Sequence, residues 1–165
     1  MKKGKFQPRG WRNNNPLNIR RSKSKWLGEV DCLTRYVTDK AGETCPTKEY
    51  DRTFCQFKEM KYGWRAVFKI LTKYVRDYKL NTIRKIIGRW APPNENRTDN
   101  YIAIVERYAG ISADTPVDIY DKDAMVDIVR GMCIVENGVD YDPFSFSTRV
   151  DDILEGYKIA MAHDS

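Results

Sequence analysis

The sequence predicts a mainly helical α+β fold with a small antiparallel β-sheet in its N-terminal third. Five stretches beyond Gly63 repeat apolar residues at helical spacing, whereas the β-prone runs all lie before it. At 165 residues, 41% hydrophobic and 12% aromatic, the chain can bury one respectable core. A single domain over 9–165 is therefore expected, preceded by a short basic arm over 1–8.

The arm begins Met1-Lys2-Lys3-Gly4-Lys5 and leads into no apolar segment of the signal-peptide kind. No later run approaches the roughly 18 apolar residues of a membrane span. Cytoplasmic synthesis without a signal peptide is expected, with any export by another route. Residues 1–25 hold nine Lys and Arg and no acid, so −3 is left for the remainder of a chain whose formal net charge is +6. The basic character is thus assigned to the arm rather than the folded body. Such an arm suits nucleic acid, acidic membrane or anionic cell wall, and equally serves as a solvated tail.

After the arm come the runs Trp26 to Val30, Arg35 to Val37 and Arg52 to Phe57, with the turn-rich stretch Thr38-Asp39-Lys40-Ala41-Gly42 between the last two. The first helix follows Gly63, with Trp64, Val67, Phe68, Leu71, Val75 and Tyr78 on one stripe. A second runs from an Asn81 cap through Ile83, Ile86, Ile87 and Trp90 until Pro92-Pro93 stop it. The third spans roughly Thr98 to Tyr108, capped by Gly110. A fourth starts near Asp121 or Asp123, turns Met125, Ile128, Val129 and Met132 inward, and ends at Glu136-Asn137-Gly138. The fifth opens on the capping-box pattern Thr148-x-x-Asp151 and buries Val150, Ile153, Leu154, Tyr157 and Met161.

Residue scarcity narrows the chemistry. Cys32, Cys45, Cys55 and Cys133 show no C-x-x-C spacing, and the single histidine, His163, lies two residues from the end. Zinc amidases and Cys/His peptidases need imidazole or thiolate groups that this pattern does not supply, so no metal or cofactor is expected. Cys32 and Cys55 lie on neighbouring predicted strands and could pair, although cytoplasmic synthesis favours free thiols. Carboxylates remain for acid/base work.

Glu136 is the most informative of them. At about 100° per residue it returns to within roughly 20° of Val129 and roughly 40° of Met132, which aims it along the apolar stripe. Lost hydration and the negative end of the helix dipole both act to raise its pKa, as a glycosidase acid requires. Alternatively, Asn137-Gly138 ends the helix and Glu136 bends outward to water. In the Asn-rich turn, Asn13-Asn14-Asn15-Pro16-Leu17-Asn18, the amides suit sugar hydroxyls or N-acetyl groups, or else bond their own backbone. Trp11, Trp26 and Trp64 are candidate stacking faces, Trp64 being better placed for the core. A second carboxylate would come from Glu29, Glu43, Glu49 or Asp51, and spacing does not choose among them.

The run Arg9-Gly10-Trp11-Arg12-Asn13-Asn14-Asn15-Pro16-Leu17-Asn18-Ile19-Arg20, with Trp26-x-Gly28, Phe54-x-x-Phe57 and Gly63-x-Arg65-Ala66, resembles a family of phage and prophage proteins. Arg89-Trp90-Ala91-Pro92-Pro93-x-Glu95-Asn96-x-Thr98-x-x-Tyr101 extends that resemblance. Its members are virion structural proteins or lysozyme-like domains. A more distant similarity is to flagellar and autolysin-type N-acetylglucosaminidases, in which a helix ending in a catalytic Glu precedes an Asn turn, Trp-x-Gly, a hairpin and a long helix. Here the later parts occur in order and the opening helix is missing. The fourth helix with Glu136 would replace it in a circularly permuted lysozyme-like domain.

The resemblance implies a peptidoglycan glycosidase or lytic transglycosylase with Glu136 as acid, and Glu29 or Glu43 as the second carboxylate if one is needed. The substrate would lie along Asn13, Asn14, Asn15, Asn18, Trp26, Glu95, Asn96 and Tyr101. The expected partner is peptidoglycan or a related glycan, with other virion proteins as further partners, and the protein is expected to act as a monomer. A non-catalytic virion or wall-binding protein of the same fold is the alternative. Nucleic-acid binding is disfavoured because the body is net acidic.

Overall fold

The computed structural model describes residues 7–38, 44–91 and 95–162, with side chains for all of these except 34–38, 44–49, 95 and 96. It is mainly helical with small antiparallel sheets, as the sequence predicts. A short helix, α1 (Arg9–Arg12), leads into the Asn-rich turn. Strands β1 (Glu29–Val30), β2 (Leu33–Thr38), β3 (Thr44–Glu49) and β4 (Gln56–Phe57) follow, then helices α2 (Met60–Thr72), α3 (Ile83–Trp90), α4 (Glu95–Ala109), α5 (Lys122–Asn137) and α6 (Ser147–Met161).

The strands form two antiparallel pairs. One joins β1 to β4 in the register Glu29 to Phe57, and the other joins β2 to β3 from Leu33 opposite Glu49 to Thr38 opposite Thr44. The expected run Arg52 to Phe57 is a strand only at its end. Before it, Phe54 makes an isolated antiparallel bridge with Arg20, which ties the chain after the Asn turn to the sheet. Strand β3 was not expected, because its Thr, Pro46 and Lys residues lack the apolar alternation of a half-buried strand. Cys32 and Cys55 are both free, the first exposed and the second buried.

Two helix pairs carry most of the core, α2 against α6 and α4 against α5. Trp64, Val67, Phe68 and Leu71 of α2 are buried, as are Met125, Ile128, Val129 and Met132 of α5. At roughly 1.5–3 kcal/mol for each large aliphatic or aromatic side chain withdrawn from water, these stripes dominate the favourable side of folding. From Lys73–Asp77 the α2 backbone widens into a π-helical turn, and the Tyr78 N–H donates to the Lys73 carbonyl at 3.1 Å.

Helices α2 and α4 start earlier than expected, at Met60 and Glu95, and two helix caps differ from expectation. The α3 cap is Thr82, whose hydroxyl accepts from the Lys85 N–H at 3.2 Å, while Asn81 uses its carbonyl to accept from Val117. Helix α6 begins one residue before Thr148, so the Thr148-x-x-Asp151 box is not formed. Its cap position is Phe146, held extended with its ring 5.2 Å from that of Trp11. Tertiary packing of two aromatic rings sets this helix start in place of a side-chain hydrogen bond.

Arg9, Arg12, Arg20, Arg21 and Lys25 belong to the folded body and not to an arm, since α1 and the turns after it are packed into the structure. Residues 1–6 lie outside the described residues.

Candidate active site

The Asn-rich turn is stitched to the sheet by its own amides. Asn13 is buried, donating from Nδ2 to Asp51 Oδ2 at 2.8 Å and accepting at Oδ1 from Gln56 at 3.3 Å. Asn15 is fully buried, donates to the carbonyls of Ile19 and Cys55 at 2.9 and 3.0 Å, and accepts from the Ile19 N–H at 2.9 Å. Asn14 donates to the Phe57 carbonyl at 3.0 Å. These three amides are engaged by protein groups and hold the turn in shape. Asn14 and Asn18 both adopt left-handed backbone, φ 53° and 54°, a conformation asparagine tolerates better than most residues.

Asn18 has a different task. Its Nδ2 donates to Glu136 Oε2 at 3.1 Å across 118 residues of sequence. Glu136 sits in the last turn of α5, and its Oε1 accepts from the Tyr101 hydroxyl of α4 at 3.3 Å. Asn137 beside it donates to the Pro16 carbonyl at 2.8 Å, so two consecutive side chains fasten the end of α5 to the turn. The backbones can approach this closely because two glycines lack Cβ atoms. A Cβ on Gly10 would lie 2.5 Å from Asn137 Oδ1 and 2.9 Å from the Asn15 carbonyl, and one on Gly63 would collide with the Asn14 carbonyl.

Burial raises the Glu136 pKa above the ordinary carboxylate value, and hydrogen bonds from Asn18, Tyr101 and Trp90 pull it down without cancelling that effect. Burial chiefly, and then the neighbouring Glu136, push the Tyr101 hydroxyl well above its usual range, so it remains a donor. Cys133, one turn before Glu136, is pushed up to about 12 by burial, and Cys55 likewise reaches about 12, burial again being the main cause. Neither thiol is a nucleophile at neutral pH.

Glu136 faces a cleft of about 320 Å³ lined by Leu17, Asn18, Ile19, Arg20, Phe54, Ile70, Tyr74 and Trp90. A larger opening of about 730 Å³ lies elsewhere, along α6 and Lys122. It offers no buried carboxyl braced by neutral donors, so the smaller cleft is the better candidate on chemistry.

The other sequence candidates distribute unevenly around this centre. The Glu29 side chain is buried and braces the chain that leads into β1, accepting from Arg21 at 3.1 Å and from the Trp26 N–H at 3.1 Å. Asp51 accepts from Arg9, Asn13 and the backbone N–H groups of Thr53 and Phe54. Burial acts to raise its pKa, but those hydrogen bonds outweigh it and hold the carboxyl well below the usual range. Neither acid lines the cleft, and neither does Trp26, which packs against the core. Trp11 and Trp64 are core residues. Glu43 lies outside the described residues, as do the side chains of Glu49, Glu95 and Asn96.

Sequence reasoning did not name Phe54, Tyr74 or Trp90 as cleft walls, although Phe54 and Trp90 both stand in motifs of the phage-family resemblance. Tyr74 and Trp90 meet edge to face, with centroids 6.3 Å apart. Trp90 had a usable signal, since it stands in the Arg89-Trp90-Ala91 motif. Tyr74 had one too, since it lies seven residues beyond Val67, within roughly 20° of the same direction at helical spacing.

No family model matches the chain. The fold and this braced, partly buried acid occur in a chain that belongs to a family of phage proteins. The relative that shows this is Protein P5 of Pseudoalteromonas phage PM2, 33% identical over 153 residues, which are 91% of this chain and 80% of the relative.

Proposed function

We propose that the protein cleaves the glycan strands of peptidoglycan, with Glu136 as the general acid. The observation that carries this is a partly buried carboxyl that faces a cleft with aromatic walls and is held in one orientation by two neutral donors, in surroundings whose burial acts to raise its pKa. Tyr74 and Trp90 line the cleft with aromatic rings of the kind that sugar rings cover. Protonated Glu136 gives its proton to the glycosidic oxygen as the bond to the anomeric carbon breaks. The carboxylate left behind is stabilised by the same Asn18 and Tyr101 donors.

Among the described residues Glu136 is the only carboxylate lining the cleft. That favours a lytic transglycosylase reaction, which needs one acid. The substrate's own 6-hydroxyl attacks the anomeric carbon, its proton returns to Glu136, and a 1,6-anhydro sugar results. A circularly permuted lysozyme-like arrangement belongs to this reading, in which α5 would take the part of the opening helix of the glucosaminidases. Action at the cell wall, after release from the host or within a phage particle, fits membership of a phage family.

Purified protein should solubilise peptidoglycan and yield anhydro products by mass analysis. Glu136→Gln should lower the rate about 10²- to 10⁴-fold while leaving helical content intact. Full activity in that variant sinks the assignment. A second reading, a wall-binding virion protein without catalysis, is favoured by the protein-engaged amides of Asn13 and Asn15. It predicts wall binding with no released fragments.

A further inference from the structure

We infer that Arg20 at the cleft mouth recognises a carboxylate of the substrate, so that the site prefers glycan bearing acidic peptide stems over uncharged glycan. This rests on the proposed cleavage of peptidoglycan. Arg20 lines the same cleft as Glu136 and Phe54. Its backbone is fixed by the bridge to Phe54, and its carbonyl accepts from the Cys55 thiol at 3.6 Å. Its guanidinium stands over the Phe54 ring, 5.3 Å from the centroid. Stacking on a fixed ring restricts an otherwise mobile side chain, so less freedom is lost when a ligand binds.

Charge pairing around this ring is lopsided. Arg9 also stands over Phe54, at 4.6 Å, and its guanidinium is paired bidentately with Asp51 at 2.6 and 3.0 Å. Arg21 is paired with Glu29, and Lys25 with Asp31. Arg20 is exposed, and among the described residues no carboxylate pairs with it. Glu136 is held by Asn18 and Tyr101 instead. The planar fork of a guanidinium matches a carboxylate through two parallel hydrogen bonds. A neutral glycan carries no group to meet it, whereas the peptide stems attached along peptidoglycan carry carboxylates.

The test uses soluble peptidoglycan strands, either intact or stripped of peptides by an amidase with the freed lactyl carboxylates then capped as methyl amides, each with and without prior removal of wall phosphate polymers. The wild type should show a KM about tenfold lower on intact strands, as expected for one charge-assisted pair. Arg20→Gln should bring the ratio of the two KM values close to one, and Arg20→Lys should restore part of it. Added salt should raise the wild-type KM on intact strands more than that of Arg20→Gln. If Arg20→Gln keeps the preference, or the wild type cleaves both strands equally well, the Arg20 assignment is overturned while the cleavage reading stands. A preference that follows phosphate removal instead of peptide removal overturns the carboxylate. If the wild type cleaves neither strand, the cleavage reading falls and this inference with it.

Discussion

At the scale of single residues, the chemistry depends on how one carboxyl is surrounded. Glu136 is raised by burial, while Asn18, Tyr101 and Trp90 donate to its charged form and limit the rise. Removing one of these donors should therefore raise the pKa further. For a general acid, activity is lost as pH climbs through that pKa, because the protonated form disappears. Tyr101→Phe should shift the basic limb of the pH–rate profile upward, with a lower maximum because the carboxyl is less firmly held. An unmoved limb, measured over the full pH range on soluble strands, would remove Tyr101 from the site. The same carboxyl residue type elsewhere does different work. Glu29 and Asp51 are tied by arginines and serve as braces, which no property of the isolated residue reveals.

At the scale of elements, the site depends on where helix ends stop and how closely they approach. Helix α5 ends at Asn137 because Gly138 supplies a backbone with φ 101°, and this leaves Glu136 in the final turn. The start of α2 runs beneath the Asn turn, and Gly63 is what lets the Asn14 carbonyl sit against it. Gly63→Ala should destabilise the protein by about 1–3 kcal/mol, since the clash is with backbone that cannot rotate away. Denaturant unfolding measures this directly. A variant as stable as the wild type would mean that the turn and α2 separate easily, and the turn could not then be a rigid cleft wall.

At the scale of the whole molecule, the cleft is assembled from segments remote from one another in the chain. Asn18 and Pro16 meet Glu136 and Asn137 across more than a hundred residues, and α2, its π-helical extension and α3 close the remaining sides. Asn137 links these parts directly. Asn137→Ala should cost about 0.5–1.5 kcal/mol for the lost hydrogen bond and should lower kcat more than it raises KM, because Glu136 is released from its position. Equal kcat in the variant would show that Asn18 and Tyr101 suffice to place the acid.

Much of this was legible in the sequence, for physical reasons. Apolar spacing located the five long helices, since burial of one face is a local pattern, and it also pointed Glu136 inward from its separation from Val129 and Met132. The fold class followed from the same spacing. Strand β3 stayed hidden because its pairing with β2 is not written in apolar alternation. The capping of α6 by Phe146 stayed hidden because the Trp11 ring that holds it lies far away in the chain. Tertiary structure alone decided which amides were engaged within the protein and which one reached the acid. It also left Arg20 without a carboxylate partner among the described residues while Arg9 beside it is neutralised. Those outcomes depend on distances between segments remote in sequence, and side-chain periodicity carries no information about them.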